Sequence, residues 1–108
     1  MSNLLFICSK NQWRSPTAER LFKHHHIHQA RSAGTSDKAR IKVNEKILNW
    51  ADVIFVMERK HKEVLRQRFP FAIADKNIIV LDIEDNYRFA DAELITILKN
   101  ALHDYLMQ

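Results

Sequence analysis

The sequence predicts an α/β fold: a four-stranded parallel sheet flanked by helices on both faces. Two observations predict it. Short apolar runs at Leu4–Ile7, Val53–Met57 and Ile78–Ile83 alternate with stretches whose apolar residues recur at helical spacing. Strands separated by helical crossovers return to the same end of the sheet and so pair in parallel. The composition, 46% apolar and 28% charged over 108 residues, is that of a globular chain and fits a single domain spanning residues 1–108.

Taken in order, Leu4–Ile7 ends at Cys8 and gives way to polar residues, the pattern of a buried strand. Ser15-Pro16 opens a helix, with Ser15 as N-cap and Pro16 at the first helical position, where no N–H is needed. Ala18, Leu21, Phe22 and His25 carry that helix to about His26. Arg31–Ala33 is the second strand. It is closed by Gly34, the only glycine in the chain, which is expected to mark a turn needing positive φ. Val43, Ile47, Leu48 and Ala51 mark a second helix, and Val53–Met57 is the third strand. Glu58–Phe69 reads as a charged helix, with Val64 and Leu65 inward, stopped by Pro70. Ile78–Ile83 is the fourth strand, with Asp82 inside it. Leu94, Ile97, Leu98, Ala101 and Tyr105 give the last helix its apolar stripe.

Several function classes fall away. No apolar run approaches the roughly 20 residues of a membrane span. Residues 1–8 lack the basic start of a signal peptide, and a single cysteine cannot form an internal disulfide, so a cytoplasmic protein is expected. His24, His25 and His26 are consecutive and would point about 100° apart on a helix, so they do not converge on one metal ion. With His28 they read as a polar helix end, and no metal is expected. The run Arg59-Lys60-His61-Lys62, with Arg66 and Arg68, is interleaved with Glu58 and Glu63, as on a solvated helix face. Without aromatic residues among them, nucleic acid is not an expected partner. The net charge of +4 favours anionic ligands without choosing among them.

The chemistry gathers at Cys8-Ser9-Lys10-Asn11-Gln12-Trp13-Arg14-Ser15, between the first strand and the first helix. Five residues separate the cysteine from the arginine. A loop of that length can curl so that its N–H groups converge, and the following helix adds its positive end, making an anion cradle. Arg14 offers a planar fork for two phosphate oxygens. The same donors surround the Cys8 sulfur and favour its nucleophilic thiolate form, with the Ser15 hydroxyl close enough to join them.

Leu4–Cys8 followed by Asn11, Arg14-Ser15-Pro16 and Ala18-Glu19 resembles the signature of the low-molecular-weight protein-tyrosine phosphatases. Ser32-Ala33-Gly34-Thr35 is similar to the family's second strand and turn, and Asp52–Glu58 to its third strand. Asp85-Asn86-Tyr87 stands where the family has Asp-Pro-Tyr. The resemblance implies the family's fold and a two-step reaction without metal or cofactor. Cys8 would attack phosphorus, Arg14 and the loop amides would hold the equatorial oxygens, and Asp85 would serve as general acid and then base. Ser9, Lys10, Asn11, Gln12, Trp13, Ser15 and Tyr87 would bind substrate, Tyr87 as a pocket wall. The chain departs from the pattern at Lys10, usually glycine, at the polar Ser9 and Gln12, and at the large Trp13. It is also shorter than the family between Thr35 and Asp52, where a helix and a wall of the pocket are lost.

The implied function is a cysteine-dependent phosphomonoester hydrolase, a protein-tyrosine phosphatase by resemblance. It would act on a phosphorylated protein or small phosphate monoester and accept inorganic phosphate or sulfate in the loop. Two alternatives stand beside it. One is a catalytically weak phosphate- or phosphoprotein-binding module. The other is an arsenate reductase of the same fold, whose chemistry needs further cysteines that this chain lacks.

Overall fold

The structure is a computed structural model and describes residues 2–108. Its elements are β1 (Ser2–Cys8), α1 (Arg14–Leu21), β2 (His28–Gly34), α2 (Glu45–Trp50) and β3 (Val53–Val56). They continue with α3 (Arg59–Arg68), β4 (Asn77–Val80), α4 (Ala92–Ala101) and α5 (His103–Leu106). The strands form one parallel sheet in the order β2-β1-β3-β4. The chain leaves β1 for β2 on one side and returns to β3 on the other. β1 is therefore the point where the winding reverses, and a crevice opens beyond the carboxyl ends of its neighbourhood.

β1 is apolar from Leu4 to Cys8, where both of its faces are covered. Leu4, Phe6 and Cys8 enter a core with Ala18 and Phe22 of the α1 region, Phe55, and Leu94, Leu98 and Leu102 of the α4 region. Leu5 and Ile7 point the other way, into a core with Ile47 and Leu48 of α2, Leu65 of α3, and Ile54 and Val56. Phe6 stacks on Phe55 at 5.1 Å and on Phe22 at 5.8 Å. Each such fully buried Leu or Phe contributes roughly 1.5–3 kcal/mol. These two layers hold the end of β1, and with it Cys8, in place.

Several element boundaries differ from the sequence expectation. α1 ends at Leu21, well short of His26. Phe22 to His25 follow in tight turns, and His25 Nδ1 accepts the N–H groups of Ile27 and His28 at 3.2 and 3.1 Å. The histidines are thus a packed turn ahead of β2, with His25 stacked on His28 at 5.1 Å. Ser15 is not the N-cap: the helix starts one residue earlier, behind Trp13, and the serine hydroxyl is engaged elsewhere. β4 stops at Val80, and Asp82 sits at φ 56° in the exposed loop beyond it. The last helix divides into α4 and α5, with Tyr105 on the second piece. Gly34 does not have positive φ. A Cβ there would lie 2.4 Å from the Ser9 carbonyl oxygen and 2.7 Å from Ala39 Cβ, so close approach is what requires glycine. Among the described residues no helix is long and apolar enough to cross a membrane.

Candidate active site

The loop after β1 has its carbonyls turned outward. Those of Cys8, Ser9 and Lys10 accept the N–H groups of Thr35, Ser36 and Arg40 at 3.0, 2.9 and 3.0 Å, and Arg40 Nε donates to the Asn11 carbonyl at 3.1 Å. The segment after β2 therefore clamps the outside of the loop. Among the described residues, the N–H groups of Ser9 to Ser15 find no acceptor. A run of unpaired amides continued into the first turn of a helix, a backbone nest, can receive an anion.

Asn11 makes the curl possible. It lies at φ 56°, in the left-handed region that asparagine tolerates, and is fully buried. Its Nδ2 donates to Ser15 Oγ at 2.8 Å, and Ser15 Oγ lies 2.9 Å from Cys8 Sγ. With its oxygen accepting from Asn11, the serine hydroxyl has one hydrogen, for which the sulfur at 2.9 Å and the Ala33 carbonyl at 3.4 Å are the acceptors within reach. Lys10 stays outside the positive-φ region. The loop can therefore carry a lysine where the resemblance expects glycine.

Arg14 is 2% exposed. Its Nη1 donates to Glu58 Oε1 at 2.5 Å and to the Ile83 carbonyl at 2.8 Å, and its Nε lies 3.6 Å from Asp85 Oδ1. The guanidinium is thereby anchored to the carboxyl end of β3 and to the loop after β4. Burial works to raise the Glu58 pKa, but the hydrogen bond and charge of Arg14, aided by Lys60 and His61, outweigh it and hold the carboxyl below its usual value.

Cys8, Lys10, Gln12, Trp13, Arg14 and Asp85 line one hollow of about 80 Å³. A larger groove of about 700 Å³ runs along α1 and the start of β2, but no cysteine lines it. Size alone would thus point away from Cys8, whereas the thiol, the guanidinium and the carboxylate meet at the smaller hollow. Apolar cavities near 150 Å³ accommodate benzene, so this one suits a phosphoryl group with the rest of a substrate at its mouth.

The expected site residues are not all assembled alike. Asn11 and Ser15 are buried behind the hollow. Ser9 turns its hydroxyl to His61 Nε2, 2.9 Å away. Tyr87, expected as a pocket wall, packs instead against the core that holds Phe6 and Leu94, and does not line the hollow. Burial, then the acidic Glu93, Asp91 and Glu84, push its phenol pKa up. Asp82 borders a different groove, with Glu58, Arg59, Lys60 and Glu84. Asn86, in the place of the family's proline, donates from Nδ2 to Glu84 Oε2 at 2.9 Å.

The solvated face that the charge pattern predicts over this helix does not extend to His61, which is buried, and Glu58 is only partly exposed, paired with Arg14. Glu58 directly follows Met57, just past the carboxyl end of β3, where crevices form in such sheets; that position was the available signal. His61 is 1% exposed, with Nδ1 accepting the Glu58 N–H at 3.0 Å. Burial first, then the charge of Arg14, lower its pKa to about 4. Nothing in the local charge pattern distinguishes it from its exposed neighbours.

Comparison with known proteins bears on the fold and on the first part of the sequence. Residues 3–48 match the family model described as low molecular weight phosphotyrosine protein phosphatase. No curated protein matches the chain by sequence. Among solved structures, the low molecular weight protein tyrosine phosphatase SP-PTP from Streptococcus pyogenes superposes with a TM-score of 0.80 at 19% identity, over 99% of this chain and 92% of its own. The tyrosine phosphatase Wzb from Escherichia coli K30, in complex with phosphate, gives 0.78 at 22% identity, over 99% and 98%. The YwlE arginine phosphatase from Geobacillus stearothermophilus gives 0.72 at 21% identity, over 99% and 94%. At these identities the likeness to each structure is one of fold.

Proposed function

We propose, for a chain with the low-molecular-weight phosphatase fold throughout and that family's sequence pattern in its first half, that it hydrolyses phosphomonoesters through a phosphocysteine on Cys8. The observation that carries this reading is the hollow over Cys8. Lys10, Gln12 and Trp13, from a loop whose amides are unpaired, line it together with Arg14 and Asp85.

In the first step the Cys8 thiolate attacks phosphorus in line as the bond to the leaving oxygen breaks. Loop amides and Arg14 Nη2 hold the equatorial oxygens, where charge is concentrated. Asp85 gives its proton to the leaving oxygen. In the second step Asp85 takes a proton from water, whose oxygen attacks phosphorus and expels the Cys8 thiolate, releasing inorganic phosphate. Lys10, Gln12 and Trp13 bind the part of the substrate at the mouth. Asn11 and Ser15 hold the loop and the sulfur, and the whole chain, residues 1–108, acts as one domain. No metal or cofactor is used, and the compartment is the cytoplasm.

The substrate class is phosphotyrosine on protein, with its ring resting on the exposed face of Trp13, which is 40% exposed. A second reading is a phosphorylated guanidinium. The polar Gln12 and the Asp85 carboxylate at the hollow favour it, both being acceptors for N–H groups. Turnover of an aryl phosphate and of phosphoarginine by the purified protein separates these two readings. Cys8→Ser should reduce either activity to background, and Arg14→Lys should leave it severely impaired. A Cys8→Ser protein with near wild-type turnover would exclude the covalent route. A wild type that binds phosphate without turnover would be a binding module instead.

A further inference from the structure

We propose that His61 is a positioning residue of the phosphate loop, one imidazole that fixes both the residue after the nucleophile and the residue that anchors Arg14. The proposal rests on reading residues 8–15 as a phosphate site.

The two hydrogen bonds of His61 determine its state. The Glu58 backbone N–H can only donate, so Nδ1, 3.0 Å away, carries no proton. In the neutral ring the hydrogen is then on Nε2, and Ser9 Oγ at 2.9 Å accepts it. Protonation would set a second donor against the Glu58 N–H. The groups that bear on the ring are Arg14 and Lys60, which oppose a positive charge, and Glu58 and Asp85, which favour it. Burial decides for the neutral form, since the residue is 1% exposed.

The consequence lies in what the two bonds join. The Ser9 carbonyl is already held by Ser36 N–H at 2.9 Å, so the bond from His61 fixes the same residue from its side-chain end. Ser9 follows Cys8 directly and contributes the first N–H of the nest. Glu58, held through its own N–H, directs its carboxylate to Arg14 at 2.5 Å. A histidine that merely filled the core would not need to bridge these two particular residues. His61 sets the start of α3 and the start of the loop at a fixed separation, and thus the nest relative to the arginine fork.

The test uses the full chain in four variants: His61→Asn, His61→Gln, Ser9→Ala and the Ser9→Ala/His61→Asn pair. Nitrogen shifts of the wild-type imidazole at neutral pH should show the Nε2–H tautomer. His61→Asn should move the amide resonances of residues 9–15, and should weaken inorganic phosphate binding about three- to tenfold, the worth of one hydrogen bond. His61→Gln, which can present an amide N–H near the Nε2 position, should recover part of that loss. Ser9→Ala should weaken phosphate binding as His61→Asn does, and the pair should be little worse than either alone.

An Nδ1–H tautomer, unmoved amides in a cooperatively folded His61→Asn protein, or additive losses would each overturn the proposal. If His61→Asn does not fold, Ser9→Ala decides, since unchanged phosphate affinity there overturns it equally. A wild type that neither binds phosphate nor turns over aryl phosphate would sink the phosphatase reading instead. The tautomer and the amide shifts would still decide the role of His61.

Discussion

Arg14 Nη1 donates to Glu58 Oε1 at 2.5 Å, joining the first turn of α1 to the carboxyl end of β3 across the mouth of the crevice. A guanidinium that is 2% exposed would otherwise be a costly buried charge. Pairing it through Nη1, with Ile83 sharing the same nitrogen, leaves Nη2 without a partner among the described residues. The pair thus both neutralises Arg14 and sets its orientation.

Glu58→Gln should therefore harm the protein in two measurable ways. It keeps the shape but removes the charge, leaving Arg14 with the more distant Asp85. Stability should fall by about 1–3 kcal/mol, within the range for a hydrogen bond to a charged group, read from the midpoint of denaturant unfolding. The KM for an aryl phosphate should rise, because the fork is free to tilt. An unchanged midpoint and KM would mean that the pair contributes neither stability nor orientation.

Gly34→Ala tests the contact between the end of β2 and the loop. The added Cβ would meet the Ser9 carbonyl oxygen at 2.4 Å, and that oxygen is backbone with no flexible end to yield. The loop must shift or the strand must bend, at a cost on the order of 1–3 kcal/mol for overpacking. We expect a lower melting temperature together with lost phosphate affinity. Lost stability with intact phosphate binding would place the strain in the strand alone.

Acid should weaken the fold through His61. Its folded pKa is about 4, against an ordinary value of 6.5. Between those values the unfolded chain binds the extra proton, so stability rises with pH across the interval and is level above it. The shift corresponds to up to about 3 kcal/mol, lost as pH falls from about 6.5 to about 4. Glu58 acts in the same direction, its lowered pKa giving stability that disappears as acid protonates it. Unfolding free energies from pH 4 to 7 should slope upward in the wild type and distinctly less in His61→Gln. Equal slopes would show that His61 titrates alike in both states.

What the sequence made legible follows from how local each cause is. The strands of the sheet centre are visible because burial on both faces demands continuous apolar runs, as at Leu4–Ile7 and Val53–Val56. The loop is visible because one contiguous segment holds the cysteine, the arginine and the helix start. The end of α1 is not, because Phe22 and His25 keep helical spacing while packing in turns that depend on contacts with α5, such as His25 Nε2 to the Leu106 carbonyl at 3.1 Å. The reason for Gly34 is not local, because its constraint comes from Ser9, distant in sequence. The burial of His61 and the pairing of Glu58 are not legible, because charge patterning does not report which turn of a helix abuts another loop. Motif position alone predicts a pocket wall at Tyr87, whereas its ring packs on the core.

Asp85 is the residue we expect to serve as general acid, and the leaving group supplies the test. It lines the Cys8 hollow and lies 3.6 Å from Arg14 Nε, whereas Asp82 sits at φ 56° and borders another groove. Asp85 is also 53% exposed at its side chain, so it can move from the arginine toward a leaving oxygen. Proton donation contributes roughly 10²–10⁴-fold where the leaving oxygen is strongly basic. Asp85→Asn should therefore slow hydrolysis of a phenyl or alkyl phosphate by about that factor, and hydrolysis of a nitrophenyl phosphate much less, because nitrophenolate departs with little help. Phosphate affinity should persist, since the loop amides and Arg14 remain. Asp82→Asn should act on stability or loop position without dependence on the leaving group. Should the dependence appear in Asp82→Asn while Asp85→Asn stays active toward poor leaving groups, the role of acid belongs to Asp82.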